Sequence, residues 1–190
     1  MNENPNEKHH SNPSFKEAKR RHDLYFKGCA LRTIASIAEA QLTRNEEDYW
    51  LNEQDKQEEA GRAITDPDLV LKIKNIQEIL HDIGYSAVDS LVHFYTMLAK
   101  DASTPVGKNL SKLEAKWGVL SPDMIRQFSM LGSNVAVLEG GTDLHGHIYH
   151  VAPTINGGFI SRSDGDKNVN LDKNQYLCIV FSPKSENNVG

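Results

Sequence analysis

The feature that most constrains this chain is a change in hydrophobic period partway along it. Up to about Gly107 the apolar residues recur at three- and four-residue steps. From Ser133 they fall into four short runs, SNVAVLEG, GHIYHVAP, FISRS and QYLCIVFS, separated by turns rich in Gly, Asn and Asp. The first pattern is that of helices and the second that of strands. Helices first and strands second is the element order of an α+β fold, with a helical N-terminal half packed on one face of a C-terminal antiparallel sheet. One further helix, SPDMIRQFSML, precedes the strands; Ser121 caps it, Pro122 suits its first position and Gly132 ends it. Residues 1 to 13 are polar and cannot bury enough surface to offset the entropy of ordering, so they read as a flexible tail. Residues 14–190 read as a single domain, long enough to bury ~70% of the surface exposed by the unfolded chain.

Within the first half, PSFKEAKRRHDLYF reads as a helix capped by Ser14, broken at Gly28. CALRTIASIAEAQL then starts a second helix, in which Ala30, Ile34, Ile37, Ala38 and Leu42 form one apolar face. Residues 45 to 63 are charged and loosely patterned, as expected of an exposed helix. ITDPDLVLKIKNIQEILHDIGY and AVDSLVHFYTMLAK read as two more helices, carrying His81 and His93 as ordinary surface or core histidines.

Charge narrows the partners. A net charge of −5 and a pI near 5.9 provide no basic field for phosphates, so no nucleic-acid partner is expected. No apolar run approaches the ~18 residues of a membrane span, and MNENPNEKHHSNPS has no signal-peptide core. No membrane association and no cleavable leader are therefore expected.

The two cysteines lie in different contexts. Cys178 is inside the apolar run YLCIVF and reads as a small core residue. Cys29 follows Lys27-Gly28 and falls in the first turn of its helix, where unpaired backbone N–H groups and the helix dipole favour a thiolate. The same N–H groups can stabilise a tetrahedral oxyanion.

A nucleophilic cysteine needs a base, and a histidine base needs a third group to orient it. GHIYHVAPTINGGFISRSDGD, read as a hairpin turning at TINGG, offers both. If residues 153 and 158 pair, His147 lies opposite Asp164; if Asn156-Gly157 is a two-residue turn, it faces Asp166. His145 shares the face of His147, whereas His150 points to the other and is the second candidate. The candidate catalytic set is Cys29, His147 and Asp164, with Asp166 the alternative to Asp164. His145 and His147 with Asp143 nearby also suggest zinc. That arrangement has no third ligand of proper spacing on the same face and leaves Cys29 unexplained, so neither a metal nor a cofactor is expected.

In these residues the chain resembles the papain-like cysteine amidases and peptidases of bacteria, a group that includes NlpC-type and CHAP cell-wall hydrolases and bacteriocin-exporter peptidase domains. GCALRTIASIAEA resembles the small-residue helix headed by the catalytic cysteine. GHIYHVAPTINGGFISRSDGD resembles the Gly-His-aliphatic strand followed, after a turn and a second strand, by an acidic or amide residue. Cys-Ala-Leu-Arg also resembles the nucleophile region of type VI secretion amidase effectors. Two departures stand out: no Gln precedes Gln41, where such enzymes often place one before the cysteine, and the helical stretch between Cys29 and His147 is long. The resemblance implies a papain-like fold and cleavage of an amide bond in peptidoglycan stem or cross-link peptides by a secreted antibacterial effector. It also implies residence in the producer's cytoplasm, export without a cleavable leader, and a cognate immunity protein. The residues leave open a papain-like toxin that deamidates or cleaves proteins, and a non-catalytic binding module.

Overall fold

In a computed structural model, residues 13–60, 94–139 and 147–185 are described. Helix α1 spans Pro13–Lys27, α2 Cys29–Ala38 and α3 Arg44–Ala60; a helical stretch over 94–99 and a short α4, Pro105–Leu110, follow. Next come β1 (Leu113–Leu120), α5 (Pro122–Met130), β2 (Asn134–Glu139), β3 (His147–Pro153), β4 (Phe159–Ser161), a 3-10 turn over Arg162–Asp164, β5 (Lys167–Val169) and β6 (Tyr176–Pro183). The architecture is mixed α+β. The expected tail and the two expected helices between 64 and 93 lie outside the described residues, as do His81 and His93.

Among the described residues, the six strands form one antiparallel sheet in the order β1-β6-β2-β3-β4-β5. On one face, Ala136, Leu138, Ile148, Leu177, Ile179 and Phe181 meet the apolar side of α2, where Ala30, Leu31, Ile34 and Ile37 are buried. Trp50 joins this core, edge-on to Phe94 at 4.7 Å between ring centroids. The helix expected to be exposed over 45–63 is therefore anchored by a buried aromatic side chain.

Three expectations need correction. Helices do not occupy one sheet face alone: α5 covers the other, with Ile125 buried among Val135, Val137, Tyr149 and Val151. The sequence reading omitted β1, because Leu113-Glu114-Ala115-Lys116 is made of helix formers and the strand lies at a sheet edge with alternate residues solvated. Ser14 is not a cap, since α1 already begins at Pro13. By contrast, Ser121 Oγ accepts from Met124 N at 3.2 Å, and Gly132, at φ 94, follows the end of α5.

The α1–α2 junction sets the position of Cys29. A Cβ on Gly28 would come within 2.0 Å of the Leu24 carbonyl oxygen, so only glycine lets the two helices meet this closely. Gly28 is the N-cap of α2 and has no side chain to bond the first-turn amides.

Candidate active site

Cys29 is the first residue of α2, and the same side of the helix continues through Thr33 and Ser36 at four- and three-residue steps. Both of those hydroxyls bind the helix to β3. Thr33 Oγ1 lies 2.8 Å from the Cys29 carbonyl and 3.1 Å from the Ile148 carbonyl, and Ser36 Oγ is 2.7 Å from His150 Nδ1. This seam fixes the start of α2 over the start of β3, where His147 stands.

There the imidazole of His147 lies close enough to the Cys29 thiol for each to shift the other's proton affinity, and its Nε2 lies 3.3 Å from Asp164 Oδ2. Its ring also stacks on Tyr149 at 5.4 Å. Burial is the largest single influence on the Cys29 thiol and pushes it up. The His147 contact, the Ile148 amide and the charges of His147 and Arg32 together outweigh burial, so the thiol sits below its ordinary value. His147 moves the opposite way: its contact with Cys29, opposed by burial and aided by the charges of Cys29 and Asp164, raises it. These opposed displacements favour a thiolate beside an imidazolium.

Asp164 reaches His147 by a route the hairpin reading did not foresee. The strands pair Pro153 with Phe159 and Val151 with Ser161, a register one residue away from each alternative considered. Continued as strand, it would set His147 against Gly165. Pairing instead stops at Ser161 and the chain enters the 3-10 turn, in which residues three apart stand in line. Asp164 thus lies over Ser161, whose hydroxyl donates to Oδ2 at 2.7 Å. Asp166 is exposed in a left-handed turn at φ 57, so the register that faced it with His147 is not the one adopted.

Other candidates fall elsewhere. His150 is buried, hydrogen-bonded to Ser36, and its backbone N–H donates to Ser163 Oγ at 2.9 Å. Cys178 is fully buried in β6, where burial pushes its thiol up. Asp143 and His145 lie outside the described residues, and among the described residues no cluster of three metal-ligating side chains is found. The sequence reading missed Ser161, Thr33, Ser36 and Arg32. The Cys29-Thr33-Ser36 spacing was a visible signal for two of them.

A groove of about 580 Å³ runs along the flank of α2, bounded by Gly28, Leu31 and Arg32 on one side and by Leu24, Leu42 and Glu47 on the other. It lies within the size range of small-ligand sites and opens beside the residue preceding Cys29.

Burial holds the His150 imidazole down to about 4 from an ordinary 6.5, with the Arg162 charge adding to the effect. The unfolded chain therefore takes up this proton before the folded one does. The stability that His150 contributes is complete above about pH 6.5 and is lost as pH falls through that value toward about 4, by up to about 3 kcal/mol. Thermal melts at about pH 7.5 and pH 4.5 should show a smaller acid-induced drop in His150→Asn than in the unsubstituted protein. An equal drop would assign the acid sensitivity to other groups.

Among the described residues, no helix is long and apolar enough to cross a membrane. Comparison of the chain with family models, curated proteins and solved structures returns no match in any of the three.

Proposed function

We propose that the protein is a cysteine amidase of papain-like type, cleaving an amide bond in peptidoglycan stem or cross-link peptides. The observation that carries this reading is the placement of Cys29, at the start of α2, over the start of β3, where His147 meets Asp164 at 3.3 Å, with the imidazole helping to lower the thiol and the thiol helping to raise the imidazole. A helix headed by the cysteine and packed on an antiparallel sheet bearing the histidine supports the papain-like assignment. The likeness of GCALRTIASIAEA and GHIYHVAPTINGGFISRSDGD to bacterial cell-wall amidases supports the substrate, delivery by a specialised secretion route, and the existence of an immunity protein as partner.

In this mechanism the Cys29 thiolate attacks the amide carbon and a C–S bond forms. The backbone N–H of Cys29, at the helix N-terminus, helps hold the oxyanion. His147 gives its proton to the departing nitrogen as the C–N bond breaks, leaving a thioester and a free amine. Water then attacks the thioester and gives a proton to His147, and the carboxylate product leaves as the thiolate is restored. Asp164 keeps the imidazole oriented and stabilises its charged form.

Asp164→Asn should therefore keep the fold and lower turnover by roughly 10²–10⁴-fold, the range of a general acid–base contribution. Asp166→Asn should have little effect, because asparagine tolerates the same left-handed backbone. Paired kinetics with melts as a folding control check this. The reverse ranking would move the orienting role to Asp166.

The substrate is tested by incubating purified sacculi with the protein and analysing the fragments by mass spectrometry. New free amines and carboxylates on stem peptides are expected. Sacculi left intact under conditions where Cys29 reacts readily with iodoacetamide would reject peptidoglycan as the substrate.

A further inference from the structure

Arg32 stands one helical turn beyond Cys29 and touches three parts of the site. Its Nη1 donates to the Leu24 carbonyl at 3.1 Å, the same oxygen that a side chain at Gly28 would strike. Its Nε lies 3.8 Å from Asp164 Oδ1, while the other carboxylate oxygen, Oδ2, meets His147 and Ser161. Arg32 also lines the groove on the flank of α2.

We propose that Arg32 is a positioning residue, a clamp between the end of α1 and Asp164 that keeps the carboxylate turned toward His147. The inference rests on the amidase reading for its consequence in catalysis, although the geometry it describes does not. A carboxylate held by Ser161 and His147 on one oxygen alone can still rotate about its Cβ–Cγ bond. A guanidinium charge beside the other oxygen disfavours that rotation, and its planar fork can bond the Leu24 carbonyl while standing next to the carboxylate, where an ammonium presents a point charge. The Leu24 carbonyl anchors the clamp, so the α1–α2 junction that places Cys29 also places Asp164.

The sign of one effect separates a clamp from a mere neighbouring charge. The titratable groups around His147 are Cys29 from α2, Asp164 from the 3-10 turn, Tyr149 stacked on its ring and Glu139, its cross-strand partner on β2, with Arg32 behind the Asp164 carboxylate. If Arg32 acts only as a nearby cation, its removal raises the pH at which His147 loses its proton. If it holds Asp164 in place, its removal lowers that pH, because the imidazolium loses its counter-ion.

The test is an NMR titration of the His147 ring in the full chain, assigned by the resonance missing from His147→Gln, on the unsubstituted protein and on Arg32→Gln and Asp164→Asn, singly and combined. Arg32→Gln should move the midpoint down and slow iodoacetamide labelling of Cys29 at about pH 6.5 by roughly fivefold, the weight of one surface-range ion pair. In the Asp164→Asn background it should add nothing to the His147 shift. An upward or absent shift, or the same downward shift in both backgrounds, overturns the clamp. Should Arg32→Gln fail to fold, Arg32→Lys supplies the reading: it keeps the charge yet should still lower the midpoint, and an unchanged midpoint there overturns the proposal. Failure of the amidase reading is seen separately, as an ordinary pH profile for Cys29 labelling in the unsubstituted protein.

Discussion

Replacing Cys29 by alanine is expected to abolish amide hydrolysis, a loss of roughly 10⁴-fold or more, while Cys178→Ala leaves turnover almost unchanged. The difference follows from where each sulfur lies. Cys29 is partly exposed at a helix start, and a neighbouring imidazole helps hold its thiol below the ordinary value. In the proposed mechanism its removal takes away the nucleophile and leaves only binding and oxyanion stabilisation to act on the substrate. Cys178 is fully buried in β6 among the residues on the α5 side of the sheet, with its thiol pushed up. Its truncation should cost about 1–2 kcal/mol of stability, read as a lowered melting temperature, and no chemistry. Fragment release from sacculi, measured beside melts of both variants, checks the pair. Equal loss in the two would assign the thiols a structural role.

The second large effect belongs to His147. His147→Gln should reduce turnover by at least the roughly 10²–10⁴-fold of a general acid–base group, because both proton transfers of the proposed mechanism run through it. It should also change the thiol in a definite direction. Burial is the largest influence on Cys29 and raises it, and the imidazole supplies the leading opposing contact as well as an opposing charge. Without the imidazole, the Ile148 amide, the Arg32 charge and the helix start are left to oppose burial, so the thiol should move up and labelling by iodoacetamide at about pH 7 should fall. A labelling rate unchanged from that of the unsubstituted protein would mean that the helix start alone activates Cys29.

Much of this geometry was legible because it is local. Gly28 followed by a small-residue helix announces a helix start, and Cys29 falls in it whatever surrounds it. The apolar face of α2 was readable from spacing, and its residues are the buried ones. The strand carrying His147 was readable from its composition. Cross-strand opposition in a hairpin points to Asp164 as the partner of His147. The structure brings it to His147 through a 3-10 turn in a different register, because strand pairing ends at Ser161. Period-two reasoning holds only while the chain remains a strand, and three residues of 3-10 helix suffice to defeat it. β1 escaped notice because edge strands can be built from residues that favour helices when alone. β5, with the sequence Lys167-Asn168-Val169, carries too little apolar pattern to read. Arg32 was hidden by its ambiguity, since an arginine on a helix flank is ordinarily solvated and only the tertiary approach of Leu24 and Asp164 gives it a role.

The most direct measurement is the pH dependence of Cys29 alkylation in the unsubstituted protein, followed by peptide mapping that separates Cys29 from Cys178. A thiolate paired with His147 should label at Cys29 with a midpoint below that of an ordinary thiol, about 8.5, while Cys178 stays unlabelled in the folded protein. A Cys29 that resists labelling, or labels with a midpoint at or above the ordinary value, would contradict an activated nucleophile and the amidase chemistry with it.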